Sequence, residues 1–177
     1  YVDIDAQTFN IDVADVEKAI TPKTRAIYAQ HTFGLICDVE GLKKLGKKYN
    51  LVVIEDGAHA LGASWKGQSV GSLGDVAFFS TDHSKVISTM LGGMVTTNDA
   101  GIAERISLIY ERSSFLSERH LKKMCRTFLI EFLLLRSQFY WIGWFFRKIA
   151  NKMGLFFRFD DELKTEKPNN YPYPARL

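Results

Sequence analysis

Cysteine and proline are both scarce in this sequence of 177 residues. The two cysteines, Cys37 and Cys125, lie far apart and form no metal-binding or redox motif, so we expect reduced thiols and no disulfide framework. Three of the four prolines lie beyond residue 167, and no linker rich in proline, glycine or serine interrupts the first 110 residues. These absences exclude a small secreted scaffold held together by disulfides.

Long uncharged hydrophobic runs are also missing. No stretch of eighteen apolar residues is free of charge, which disfavours a simple transmembrane helix. The opening Tyr1–Asp5 has neither a basic start nor an apolar core, so no signal peptide is expected. Hydrophobic residues (46%) and charged residues (24%) are balanced as in globular proteins. We therefore expect a cytoplasmic protein, and association with the inner face of the membrane stays open.

Charge is distributed unevenly along the chain. Residues 1–111 contain ten Lys and Arg against fourteen Asp and Glu, whereas residues 112–159 contain ten against two. The basic part is also unusually aromatic, and a composition that changes so sharply predicts two parts with different surroundings.

The acidic part has the pattern of an α/β fold. Helical spacing of apolar residues occurs at Val13–Ile20 and Asp38–Asn50, and short apolar runs typical of strands occur at Arg25–Gln30, Leu51–Ile54 and Asp75–Phe79. Strand, helix and strand in this order predict a βαβ unit and a mainly parallel sheet. Because Leu51–Ile54 is uninterrupted by polar residues, we expect that strand to be buried on both faces.

Asp56 stands two residues beyond this aliphatic strand. In parallel sheets, ligands bind where loops leave the carboxyl ends of the strands. A carboxylate at this place, followed by the small residues Gly57 and Ala58, suits a buried cationic group. An aspartate that caps the next helix would produce the same local pattern.

Lys85 follows another strand, and Gly92-Gly93 comes seven residues later. Lysine becomes a nucleophile toward carbonyls when burial or nearby cations lower its pKa. Hydroxyls and backbone amides just past a strand, such as those around Ser80, can hold a phosphate. Taken singly, an exposed loop lysine is the simpler interpretation.

Several segments in fixed order strengthen the case for both residues. They are Val2–Asp5 with Thr8–Asp12, Thr21–Ile27, His31–Gly34, Ile54–Ala63, Val70–Asp75, Phe79–Lys85 and Gly92–Val95. Together they resemble the DegT/DnrJ/EryC1/StrS family of sugar aminotransferases, which are pyridoxal-phosphate enzymes of fold type I. The likeness covers residues 1–112 and resumes at Tyr171–Leu177.

The resemblance implies roles for four residues. Asp56 would pair with the protonated pyridine nitrogen, and Ser80 would bond the cofactor phosphate. Lys85 would bind pyridoxal phosphate covalently and then act as the general acid and base. His59, where the family often has Gln, would lie near the ring hydroxyl. No metal ligands are predicted, and His31 suits a structural hydrogen bond as well as catalysis.

The implied fold is a three-layer αβα sandwich around a mostly parallel sheet. Residues 1–112 would form an incomplete large domain that binds pyridoxal phosphate, 113–170 a helical insert that is basic and aromatic, and 171–177 the resumption of the large domain. The implied reaction moves an amino group, from glutamate or glutamine, to a keto group of a nucleotide-linked sugar. The alternatives are a pyridoxal-phosphate sugar dehydratase and a non-catalytic regulatory relative. Dehydratases of the family have His in place of the lysine, so Lys85 favours the aminotransferase.

The sequence departs from the family in length and at a partner-facing position. Members are about twice as long, so we expect a fragment that binds the cofactor poorly by itself. A homodimer is also implied, in which each subunit lends an Asn to the other. Pro174 takes that place here, and the neighbouring Asn169 and Asn170 are candidate substitutes.

The basic and aromatic stretch from Phe115 to Tyr171 leaves three interpretations open. It could lie at a membrane surface through residues 115–159, because aromatic and basic residues together favour the headgroup region. It could be a helical pair packed on the protein or on its dimer partner. Nucleic-acid binding fits the charge alone, has no supporting fold signature and is not expected.

Overall fold

The computed structural model describes residues 1–82, 84–89, 91–113, 117–134 and 140–153. The chain divides into two compact units, Tyr1–Glu111 and Arg112–Leu177. The last stretch, with Asn169, Asn170, Pro174 and the predicted resumption at 171–177, lies outside the described residues.

The described residues of the first unit form three α-helices and six strands. The helices are α1 (Val13–Ala19), α2 (Val39–Tyr49) and α3 (Ala100–Arg112), and a 3₁₀ turn covers Thr32–Gly34. The strands are β1 (Ala26–Gln30), β2 (Val52–Asp56), β3 (Ser64–Trp65), β4 (Gln68–Ser69), β5 (Val76–Ser80) and β6 (Gly93–Thr97).

Four of the strands form one sheet in the order β1-β2-β5-β6. β1 and β5 both pair with β2 in parallel, and β6 pairs with β5 in antiparallel orientation. β3 and β4 form a separate hairpin. The predicted α/β fold with a mostly parallel sheet is confirmed.

Helix α2 covers one face of this sheet. Its N-terminus is capped by Asp38, whose side chain accepts a hydrogen bond from the Gly41 amide, and it ends at Asn50 in the left-handed conformation. Leu42 and Leu45 are buried in a core that includes Val53 and Ala77 of the sheet. The apolar stripe of α2 therefore fixes which face of the sheet becomes the core.

The opposite face of the sheet is more accessible, which corrects one prediction. On β2, Val53 and Glu55 are buried, whereas Val52 is 40% exposed and Ile54 is half-buried. Burial on both faces of this strand was therefore wrong for the described part of the chain, because α2 packs on one side only. The accessible face also carries Tyr28, Asp56 and Ser80, since residues two apart on a strand share a face.

The second unit contains α4 (Glu118–Leu134) and α5 (Tyr140–Lys152), which contact each other. Within the residues that the structure describes, no helix is long and apolar enough to cross a membrane.

Candidate functional site

The carboxyl ends of β1, β2 and β5 meet at one edge of the sheet. Gln30 lies opposite Asp56, and Asp56 lies opposite Phe78. Ser80 is two residues farther along β5 on the same face. A strand spacing of about 4.8 Å and a rise of about 3.3 Å per residue separate Asp56 and Ser80 by roughly 8 Å. The sheet thus brings the predicted carboxylate and the predicted hydroxyl to one edge.

Both carboxylate oxygens of Asp56 accept hydrogen bonds. The Ala58 amide donates to Oδ1 at 2.9 Å, and the Tyr28 hydroxyl donates to Oδ2 at 2.6 Å. Asp56 is 9% exposed. A carboxylate has about four acceptor positions, so these bonds orient Asp56 and leave it able to accept from a further cationic N–H.

Tyr28 is a site residue that the sequence analysis missed. Partial burial, together with the hydrogen bond to Asp56, raises the pKa of Tyr28, so the phenol stays protonated and remains a donor. Its ring also lies 5.9 Å from that of Phe78. A tyrosine in an apolar strand was the available signal, but only the pairing of β1 with β2 shows that it reaches Asp56.

Lys85 lies in the loop that connects β5 to β6. The Thr81 amide donates to the Gly92 carbonyl at 2.9 Å, and the Thr89 amide donates to the Thr81 carbonyl at 2.9 Å. The two threonine hydroxyls are 2.7 Å apart. Lys85 is half-buried, and its amide donates to the Asp82 carbonyl. These bonds close the base of the loop that contains Lys85.

Gly92 is required for this closure. A Cβ at this position would lie 2.8 Å from Thr89 Oγ1 and 2.9 Å from Thr81 Oγ1. A larger residue would therefore push the two threonines apart. Ser80, at the start of the loop, accepts a long hydrogen bond from the Asp82 amide at 3.4 Å and can donate its own hydrogen to a phosphate oxygen.

His59 lies three residues after Asp56 and is exposed. Its ring stacks on Phe33, with centroids 6.2 Å apart and planes at 8°. Phe33 itself adopts a left-handed φ of 53° and is 77% exposed. The observed contact of His59 is therefore with the 3₁₀ turn after β1, and its predicted place near the ring hydroxyl stays a prediction.

Glu55 and His31 form a fully buried pair on the other face of the sheet. Glu55 Oε2 lies 3.1 Å from His31 Nε2, and neither side chain is exposed to solvent. The Gly71 amide also donates to Oε2, and the Gly74 amide donates to Oε1. Burial opposes ionisation of Glu55, but the bonds from His31, Gly74 and Gly71 outweigh it and hold the pKa below its ordinary value.

The protonation pattern of His31 follows from its neighbours. The Cys37 amide can only donate, and it donates to His31 Nδ1 at 3.3 Å. The proton of the neutral ring therefore lies on Nε2, where it is donated to Glu55. Burial, reinforced by the nearby charge of Glu55, raises the pKa of Cys37 to about 12. His31 and Cys37 thus act as structural groups, which agrees with the structural interpretation of His31.

The family model that matches this chain is that of the DegT/DnrJ/EryC1/StrS aminotransferase family, over residues 1–125. The match runs from the first residue, through the whole carboxyl edge, into α4. The chain belongs to this family.

Individual relatives agree with this assignment. The GDP-perosamine synthase of Caulobacter vibrioides is 47% identical over 108 residues, which are 61% of this chain and 29% of the relative. The structure of DesI in the presence of its TDP-sugar product has a TM-score of 0.59 and 39% identity, covering 60% of this chain and 27% of DesI. The chain thus spans less than a third of the length of these relatives.

A dehydratase also shares the fold. The Escherichia coli GDP-4-keto-6-deoxy-D-mannose-3-dehydratase with bound hydrated PLP has a TM-score of 0.51 and 32% identity, covering 55% of this chain and 25% of that protein. The fold therefore does not by itself separate amino transfer from dehydration.

Proposed function

We propose that the protein is a pyridoxal-phosphate aminotransferase that moves an amino group, from glutamate or glutamine, to a keto group of a nucleotide-linked sugar. The observation that carries the proposal is the placement of Asp56 and Ser80 at neighbouring strand ends, with Lys85 in the loop that follows. The product would enter the synthesis of polysaccharides, lipopolysaccharides or antibiotic sugars.

The chemistry of the edge fits this cofactor. The separation of roughly 8 Å between Asp56 and Ser80 is comparable with the length of a pyridine ring that carries a phosphate arm. A Cβ on Gly57 would clash with the Phe79 ring, so only glycine fits directly after Asp56. When bound, pyridoxal phosphate supplies a reactive carbonyl and a ring that withdraws electrons.

Each residue has a separate task in this proposal. Asp56 would accept a hydrogen bond from the protonated ring nitrogen, and the Tyr28 and Ala58 donors keep its carboxylate oriented. Ser80 would donate a hydrogen bond to the phosphate. Lys85 Nζ would hold the cofactor through its carbonyl carbon and would serve as the acid and base that carries the substrate proton.

The test is amino transfer by the full-length protein supplied with pyridoxal phosphate. Nucleotide-linked keto-sugars would be offered with glutamate or glutamine, and the aminated sugar would be measured by mass spectrometry. The proposal expects an amino-sugar product with consumption of the donor. A deoxygenated keto-sugar would support the dehydratase instead, and cofactor binding without either product would support a regulatory relative.

We also propose that the protein is a homodimer located in the cytoplasm. The proposal rests on the family membership of residues 1–125. Sedimentation equilibrium of the full-length protein should give twice the mass of the chain, and a single-chain mass at micromolar concentration would contradict it.

Replacing Asp56 with asparagine should weaken both cofactor retention and amino transfer. The amide is nearly isosteric but carries no charge to hold the ring proton. A hydrogen bond to a charged group contributes about 1.5–3 kcal/mol, so we expect a loss of roughly 10- to 150-fold. Asp99→Asn is the matched control, because Asp99 caps α3 through the Ile102 amide and asparagine caps equally well.

Replacing Tyr28 with phenylalanine should weaken cofactor binding by up to about tenfold, the effect of one hydrogen bond. The ring contact with Phe78 is kept, whereas Asp56 loses its Oδ2 donor. Titration of the apoenzyme with pyridoxal phosphate measures the effect. Tyr49→Phe removes a hydroxyl that donates to Glu17 on the surface and should leave affinity unchanged.

A further inference from the structure

Within its described residues, the α4–α5 pair buries few positions and leaves large apolar residues outside. The positions that it buries include Met124 and Thr127 of α4 and Gly143 of α5. Glu131 of α4 and Arg147 of α5 form a salt bridge, in which Glu131 Oε1 lies 3.3 Å from Arg147 Nη2. A helical pair that buries few positions and turns large apolar side chains outward leaves apolar surface for a further partner.

The outward residues are unusually large and apolar. Trp141 is 80% exposed, and Phe132, Leu133, Ile142 and Phe145 are each more than half exposed. Clusters of exposed apolar side chains on this scale mark an interaction site, because water disfavours large contiguous apolar patches. Tryptophan and tyrosine are also enriched at the boundary between lipid and water.

Seven of the eight Lys and Arg residues between 118 and 152 belong to the halves of α4 and α5 that are remote from the connection, and the eighth, Arg136, belongs to the connection in sequence. The basic residues are Arg119, Lys122, Lys123 and Arg126 in α4, and Arg147, Lys148 and Lys152 in α5. Both acids of the pair are engaged, Glu118 with Lys122 and Glu131 with Arg147. The C-terminal half of α4 and the N-terminal half of α5 are mainly apolar. Only five residues separate Leu134 from Tyr140, so these two apolar halves are close in sequence.

We propose that the α4–α5 pair is an anchor that lies in the headgroup region of an anionic lipid bilayer. At about 1.5 Å per residue the helices are roughly 25 and 20 Å long, and neither is apolar enough to cross the bilayer. The apolar halves enter the interface, and the basic ends stay with the lipid phosphates. Lys148, 3.9 Å above the Trp144 ring, shows how a cation and an aromatic share this boundary.

Charge favours lipid over a second copy of the α4–α5 pair. A second copy of the pair would bring two strongly positive surfaces together, and like charges in contact oppose association. A nucleic acid would match the charge but would leave Leu133 and Ile142 in water. An anionic bilayer satisfies both the cations and the apolar residues. The inference does not depend on the proposed reaction.

Tryptophan fluorescence tests this anchor directly. In the 177-residue chain with Trp65→Phe, the remaining tryptophans are Trp141 and Trp144. Vesicles of phosphatidylcholine and phosphatidylglycerol should shift the emission to the blue, whereas pure phosphatidylcholine should do so weakly. Emission that is already blue without vesicles and unchanged by them would overturn the proposal, because the two rings would then be covered by protein.

Co-sedimentation of full-length variants with the anionic vesicles separates the contribution of basic residues to membrane binding from that of apolar residues. Lys122→Gln with Lys152→Gln should lower the partition coefficient about thirtyfold, since each basic residue near an anionic surface contributes about a factor of five. Lys44→Gln with Lys47→Gln on α2 removes the same charge elsewhere and should leave partitioning unchanged. Ile142→Asp with Phe145→Asp should abolish binding. Self-association abolished by this last pair, without vesicle binding by the unaltered protein, would contradict the proposal and identify a second copy as the occupant.

Discussion

Replacing Lys85 with alanine in the full-length protein is expected to slow amino transfer by roughly 10²- to 10⁴-fold, the usual contribution of a positioned acid–base group. In the proposed function the Lys85 side chain supplies both the amine that holds the cofactor and the base that moves the substrate proton. The hydrogen bonds among Thr81, Thr89 and Gly92 hold the loop base without help from the lysine side chain. The loss should therefore appear in turnover, with little change in stability.

Two controls make the Lys85 result interpretable. Lys66→Ala removes a lysine from the β3–β4 hairpin, where it pairs with Glu40 on the surface, and should leave turnover unchanged. Added alkylamine should restore part of the activity of Lys85→Ala by supplying the missing base. If Lys85→Ala transfers amino groups at the rate of the unaltered protein, the proposed role of Lys85 is wrong.

Replacing Glu55 with alanine is expected to lower the free energy of unfolding by about 3–5 kcal/mol, because three donors lose their acceptor and each buried donor left unpaired costs about 1–3 kcal/mol. The substitution leaves His31 Nε2–H and the amides of Gly71 and Gly74 without their acceptor. His31 follows β1, and Gly71 and Gly74 lie in the loop before β5, so Glu55 joins the end of β1 and this loop to β2.

The Glu55 effect can be measured by urea denaturation and localised by hydrogen exchange. Exchange at the Gly71 and Gly74 amides should accelerate in Glu55→Ala. Glu55→Gln should cost less, about 1–3 kcal/mol, because one acceptor oxygen remains. Glu40→Ala, on the surface, is the matched control and should change stability little. Equal stability of Glu55→Ala and Glu40→Ala would contradict the buried network.

The same carboxylate predicts the direction of the pH dependence. In the folded chain the pKa of Glu55 lies below 4.5, the ordinary value that applies to the unfolded chain. Its contribution is therefore complete above the unfolded pKa and is lost as the pH falls toward the folded pKa. In acid titrations below about pH 4.5, Glu55→Gln should lose less stability than the unaltered chain.

Much of the fold could be predicted because local signals agreed with one another. Asp38, Val39, Leu42 and Leu45 identify α2 by a cap and an apolar stripe, and the structure confirms the helix. The aliphatic run of β2 indicates a strand, but it does not indicate which element covers each face. The buried face is determined by where α2 packs, and the residues of the strand alone do not specify that position.

Residues of the candidate site could be predicted where they lie at or soon after the end of a strand. Asp56 ends β2 and Lys85 lies five residues beyond the end of β5, so the parallel order assigns both to the loops at the carboxyl edge. Tyr28 and Glu55 depend on partners that are distant in sequence, and those contacts require the strand register and the loop positions. Glu55 stands next to Asp56 in sequence, yet the alternation of the strand directs it into the core.

Borohydride reduction of the full-length protein with pyridoxal phosphate tests the central claim most directly. Reduction should fix one cofactor per chain, and peptide mass spectrometry should place the reduced phosphopyridoxyl group on Lys85. Lys85→Ala should retain no such label, whereas Lys66→Ala should retain it fully. A stoichiometric label on a different lysine, or none after reduction of protein saturated with the cofactor, would contradict the account.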